Sequence, residues 1–230
     1  MEKLTSAKAL SLLTEEIIVE ASDYQKRENR WILHCIRVGH AARRIAERLG
    51  LDADYAEALG YIHDIGRRIN HPTHPIEGYY YMQSKGYVVE SGICLTHSFI
   101  NNDICMTAGA GPKGEINAFL DQYLRNHPVT VYDNIIQLCD LFCEWNGYLT
   151  IEKRLLDITK RKGVTEHSKQ HFLLALQLQK EIETKMGCTM PDLFPEIANE
   201  DLENKEKDYD TLLSIIEETN KNKVKKVVEG

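Results

Sequence analysis

A chain of 230 residues, 43% hydrophobic and 27% charged, is long enough for one sizeable domain that buries roughly 70% of its unfolded surface without disulfide staples. Lys and Arg number 28 against 35 Asp and Glu, a formal net charge of −7, which argues against a protein wrapped around long nucleic acid through a basic face. Six cysteines without a CxxC pair read as reduced thiols, and no run of about 18 uncharged apolar residues marks a signal peptide or membrane span, so a cytoplasmic location without a membrane partner is expected.

Helical periodicity dominates the chain. Ala9 to Ala21 carries Leu10, Leu13, Ile17 and Val19 or Ala21 on one face. A longer helix is predicted from about Glu28 to Leu49, with Val38, Ala41, Ala42, Ile45, Ala46 and Leu49 on one stripe and Gly50 where a left-handed residue ends a helix. Asp52 is an N-cap candidate for a helix through Tyr61, and Pro75 a first-turn proline for one through Gln83. Further helices are predicted near Val88 to Ile100, Glu115 to Arg125, Val131 to Glu144, Ile151 to Lys162 and Glu166 to Met186. The expected fold class is an all-α helical bundle, since no β-hairpin series is evident.

Two segments interrupt the helices. Thr107 to Gly114 holds three glycines and Pro112, reads as a loop, and does not match the G-x-x-x-x-G-K-[ST] phosphate loop; it is a connector or a lid. From Pro191 onward the composition shifts, and Glu200 to Asp210 is charged enough to read as a linker. Tyr209, Leu212, Leu213 and Ile216 then predict a short docked helix that frays into Lys221 to Gly230. The expected division is a domain over 1–190 and a charged extension over 191–230.

Polar residues sit on apolar lines at three places. His34 shares the stripe of Val38, Ala41 and Ile45, whereas His40 does not. A lone histidine there is usually a hydrogen-bonded core residue, but His63 and Asp64 follow each other at the end of an apolar run, and Asp140 falls on the line of Ile136 and Cys143. A buried carboxylate costs several kcal/mol unless a cation matches it. One divalent cation held by His34, His63, Asp64 and Asp140 satisfies all four groups.

These residues resemble the HD-domain superfamily of metal-dependent phosphohydrolases through His34-Cys-Ile-Arg-Val-Gly-His-Ala-Ala-Arg-Arg-Ile-Ala, then His63-Asp64-Ile65-Gly66, then the helical Asp140. The resemblance covers about residues 28 to 145 and implies an all-α domain with a metal at the helix crossing, held by those four ligands. Many members add two histidines that complete a second metal site, with the HisAsp carboxylate bridging the ions. His74-Pro75-Ile76-Glu77-Gly78 is similar to the opening that supplies the first, with His71 as competitor, and Thr96-His97-Ser98 to the second. The Gly-Tyr-Pro element of the cyclic-dinucleotide phosphodiesterase branch is absent after His97, and Ile65-Gly66-Arg67-Arg68 stands where the stringent-response hydrolases carry an acidic pair. Arg67 takes the place of a lysine common in relatives; it is either a phosphate-gripping fork or an exposed helix-end arginine.

What the resemblance implies is hydrolysis of a small phosphate mono- or diester, a nucleotide above all, by a metal-activated water. Asp64 would bridge one or two ions of Fe, Mn, Ni, Zn or Mg, and Arg67 or Lys113 would supply further positive charge to the substrate. Long nucleic acid is not an expected partner, and an oligomer is possible. The rival readings are a di-iron HD-type oxygenase and a non-catalytic metal-stabilised nucleotide sensor.

Overall fold

The computed structural model describes residues 3–15, 28–108 and 115–228. Among them the fold is all-α, with no strand beyond one isolated antiparallel bridge between Cys143 and Tyr148.

Helix α1 (Ser6–Thr14) begins at Thr5, whose hydroxyl accepts from the Lys8 N–H. The rest of the helix predicted to Ala21 lies outside the described residues. Helix α2 (Arg30–Leu49) ends at Gly50, which adopts φ 69°, and α3 (Ala53–Ile62) is capped by Asp52 accepting from the Tyr55 N–H. These two helices cross where neither carries a side chain: a Cβ on Gly60 would lie 2.5 Å from the Gly39 Cα. Val38, Ala41, Ala42, Ile45 and Ala46 of α2 are fully buried against α3 and α7 (Val131–Phe142), so the predicted stripe forms the core.

A 3-10 turn (Ile65–Arg68) follows α3 and packs on α4 (His74–Ser84), which in turn packs on α5 (Gly92–Thr96). A single helix over Val88 to Ile100 does not form. Gly86 takes φ 90°, the β-branched pair Val88 and Val89 is exposed, and Asn101 and Asn102 adopt φ 56° and 55°, so the segment is helical only between these breaks. Helix α6 (Glu115–Asn126) packs on α5 through Leu95, Phe99, Leu120 and Leu124.

Helix α8 (Ile151–Lys162) packs on α7 and on α9 (Ser168–Met186). Short helices α10 (Met190–Leu193) and α11 (Asn199–Glu203) lead to α12 (Lys205–Val228), 24 residues long. The expected linker over Glu200 to Asp210 is therefore helical, and the docked helix runs to Val228 instead of fraying from Lys221. Its Glu and Lys are strong helix formers, with Glu206 and Asp208 favourably placed in the first turn. Leu212 and Ile216 are buried, and the Tyr209 ring lies 5.2 Å from that of Phe172. Lys205 Nζ lies 3.5 Å from the buried Glu152 of α8.

Candidate metal centre

Six polar side chains from five elements meet at one crossing. His34 lies in the second turn of α2, His63 and Asp64 at the end of α3, His74 at the start of α4, His97 at the end of α5 and Asp140 near the end of α7. Their approach follows from two backbone crossings. Gly39 against Gly60 brings α2 to α3 and so His34 to His63, whose Nε2 atoms lie 3.3 Å apart. Gly66 lies against α4: a Cβ there would sit 2.1 Å from the His74 carbonyl oxygen and 2.3 Å from the Gly78 nitrogen. That contact presents His74 Nε2 to Asp64 Oδ1 at 2.9 Å.

Two overlapping groups result. His34, His63 and Asp140 offer ligand atoms mutually within 4.8 Å, as do His63, Asp64 and His97. Asp140 Oδ1 lies 2.9 Å from His34 Nε2 and 3.9 Å from His63 Nε2. Asp64 stands between the groups, with Oδ2 3.7 Å from His63 Nε2 and Oδ1 3.4 Å from His97 Nε2.

Three of the four imidazoles are oriented by the backbone. Nδ1 of His63 lies 2.7 Å from the Gly60 carbonyl, that of His74 2.8 Å from the His71 carbonyl, and that of His97 3.0 Å from the Cys94 carbonyl. Donation from Nδ1 leaves the Nε2 lone pair facing the centre, the arrangement that metal-binding histidines use. His71 supplies a carbonyl to this arrangement, which separates its role from that of His74.

Burial pushes the His63 pKa down to about 3, keeping the ring neutral. Burial alone would raise Asp64 and Asp140, but the Arg67 guanidinium and His74 hold Asp64 well below the usual carboxylate range, and His34 does so for Asp140. Burial lowers His97 too, yet the Asp64 carboxylate beside its Nε2 raises it overall. Asp64 Oδ1 and His74 Nε2 are buried without a hydrogen-bond partner. Imidazole nitrogens, ionised carboxylates and orphaned ligand atoms converging on one point fit a divalent cation of the kind nitrogen and oxygen ligands prefer.

Arg67 Nε donates to Asp64 Oδ2, and Nη1 lies 3.2 Å from His71 Nδ1. His40 is exposed, 3.8 Å from Glu57, and faces away from the centre. Lys113 and most of the glycine-rich loop lie outside the described residues.

The cluster forms the floor of a cleft of about 670 Å³, whose walls include Arg30, Trp31, Trp145, Arg154 and His171. None of these was singled out in the sequence, and the signals were faint: charged or aromatic residues at helix ends, and one histidine among nine. Gly39, Gly60 and Gly78 were also missed as a set. Their clue was a small residue recurring inside otherwise strong helices.

The HD-domain family model matches residues 31–144, about half of the chain. This chain is an HD-domain protein. The HD domain carries the general expectation of metal-dependent phosphohydrolase chemistry. The chain is also 36% identical over 83 residues to Ribonuclease Y of Lactobacillus helveticus, and to the same extent to Ribonuclease Y of Lactobacillus acidophilus. The aligned segment is 36% of this chain but spans only 13% of the length of these curated relatives. No solved structure matches. No helix among the described residues is long and apolar enough to cross a membrane.

Proposed function

We propose that the chain is a metal-dependent phosphohydrolase acting on a small phosphate mono- or diester, a nucleotide by preference. The observation that carries this reading is the position of the His and Asp cluster at the floor of a substrate-sized cleft, with Arg67 beside it. His34, His63, Asp64 and Asp140 would hold one divalent ion, and Asp64, His74 and His97 a second. A divalent ion there supplies Lewis acidity to a phosphate oxygen and lowers the pKa of a bound water.

The chain's own residues prepare that chemistry. Asp64 stays ionised and oriented because Arg67 pairs with its Oδ2 while Oδ1 faces His74 and His97. His63 stays neutral, so its Nε2 lone pair is available throughout the physiological range. Arg67 lines the cleft beside the carboxylate it holds, where its planar fork is placed to bind a phosphate oxygen. Leu141 and Ile158 add apolar surface to the cleft wall.

Compact substrates are favoured by the net charge of −7, which repels long polyanions. The Ribonuclease Y relatives are named for RNA, but the shared segment is only 13% of their length, so their activity as whole proteins is not carried over to this chain. Metal analysis of protein purified without chelator, followed by a phosphate-release screen of nucleotides and other small phosphoesters with Mn²⁺, Fe²⁺, Ni²⁺ and Mg²⁺, tests the reading. Turnover of one small phosphoester well above the rest is expected. Degradation of long RNA far better than any small phosphoester would overturn it, as would oxygen consumption without phosphate release.

A further inference from the structure

Part of the cleft wall comes from α8, beyond the segment that the HD family model matches. Five Lys or Arg side chains line the cleft among the described residues against four Asp or Glu, although the whole chain is acidic. The carboxylates are largely committed. Asp64 pairs with Arg67, Asp140 with His34, and Asp157 lies 3.9 Å from Lys153. Glu144 is shared by two guanidiniums: Arg154 pairs with it directly, and Arg161 Nη2 lies 3.8 Å away.

Positive charge is therefore in surplus on this wall. The Arg154 side chain is only 12% exposed, yet its Nε has no hydrogen-bond partner. Among the described residues Lys162 makes no ion pair. Three cations close the last turn of α8, where any would suit the helix dipole; Arg161 and Lys162 line the cleft and Lys160 does not. A buried guanidinium with an orphaned donor and an unpaired ammonium both lower their free energy when an anion arrives.

We propose that Arg154, Arg161 and Lys162 form a second anion subsite, so that the preferred substrate carries a second phosphate group besides the one presented to the His and Asp cluster. This rests on the phosphohydrolase reading for the first phosphate, whereas the second subsite is built from α8 alone. Arg154 donates from inside the wall, and Arg161 and Lys162 close over the anion from its rim.

The test compares adenosine 5′-monophosphate with adenosine 3′,5′-bisphosphate and adenosine 5′-diphosphate on the full chain loaded with Mn²⁺, by calorimetric binding and by phosphate release from the same samples. At least one doubly phosphorylated nucleotide should bind about 10-fold or more tightly than the monophosphate, since charge-assisted hydrogen bonds are worth that much. The double variant Arg161→Gln, Lys162→Gln, which changes two exposed side chains, should abolish that preference while monophosphate affinity and metal stoichiometry stay within about 2-fold. Arg154→Lys should reduce the preference without abolishing it, because a point charge remains.

Equal binding of all three nucleotides by the wild type, or a preference intact in the double variant, overturns the subsite. If the monophosphate is then still hydrolysed, the phosphohydrolase reading survives alone. A preference that depends on Arg161 and Lys162, without phosphate release from any phosphoester, leaves the subsite standing and sinks the hydrolase. Binding of none of the three overturns the subsite.

Discussion

His74 Nε2 and Asp64 Oδ1 face each other at 2.9 Å, and both atoms are buried without a hydrogen-bond partner of good geometry. Two groups so close and so poorly satisfied are arranged for something between them. The Asp64 carboxylate thereby connects the α3 end of the cluster to α4.

Removing a ligand shared by the whole cluster should differ from removing one at its edge. His34→Ala, His63→Ala, Asp64→Ala and Asp140→Ala are each expected to abolish activity and lower metal content, because the remaining groups are left buried around an incomplete cage. His74→Ala and His97→Ala should lower the stoichiometry from about two ions to about one while the fold survives. Elemental analysis checks both; full occupancy in Asp140→Ala would mean that the cage is drawn from other residues. His40→Ala should leave metal content unchanged.

Arg67 is tied to Asp64, so its loss acts on more than the substrate. Arg67→Ala should lower kcat/KM by roughly 10- to 100-fold, the worth of one or two charge-assisted hydrogen bonds. Metal content at neutral pH should hold, since Asp64 is still faced by His63, His74 and His97. Wild-type kinetics for this variant on the best substrate would remove Arg67 from the site.

Gly66→Ala places a methyl group 2.1 Å from the His74 carbonyl oxygen, which is backbone and cannot swing aside. Overpacking of this kind costs about 1–3 kcal/mol, or a fall in Tm of several degrees, on the order of 2–4 °C per kcal/mol for a chain of this size. Reduced metal content should accompany the thermal shift, because α4 carries His74 away as it yields. Unaltered melting and metal content would contradict the crossing.

Burial lowers the His171 pKa to about 4. Its neutral form is native, whereas the unfolded chain binds a proton below about pH 6.5. Stability from this group is thus complete above pH 6.5 and is lost as pH falls toward 4, by up to about 3 kcal/mol. Denaturant melts of chelator-treated protein between pH 7 and 4 should show a shallower acid decline for His171→Gln than for the wild type. Parallel declines would place the proton elsewhere.

Glu152 is buried, with Oε2 unpaired, and Lys205 of α12 is its ion-pair partner. Lys205→Ala should destabilise the protein by about 1–3 kcal/mol, because it strands a buried charge. Glu152→Gln should be close to neutral, since it removes that charge and keeps the shape. Thermal melts of the two variants distinguish them; a larger loss in Glu152→Gln would reverse the assignment.

The parts of this architecture that were legible in the sequence are those with local signals. The α2 stripe, its Gly50 terminus and the Asp52 cap follow from periodicity and backbone chemistry, and all three are present. His34, Asp140 and the His63-Asp64 pair were visible because each breaks an apolar line. His74 and His97 rest mainly on family resemblance, since their neighbours in the sequence do not reveal that Asp64 is opposite. The α8 wall was illegible for a different reason: Arg161 and Lys162 look like ordinary helix-end cations until the cleft is seen. Over Glu200 to Asp210, charge density reads as a linker, although a helix docked by one narrow stripe has the same composition.

The glycine crossings divide the cleft into a part that can vary and a part that cannot. At Gly39, Gly60 and Gly66 any side chain meets another backbone, so the spacing of the floor is closed to gradual change. Arg161 and Lys162 meet no such limit, and their replacement disturbs little packing. A lineage of such proteins would change what it acts upon by altering the last turn of one helix, while the chemistry beneath passed unaltered from one specificity to the next.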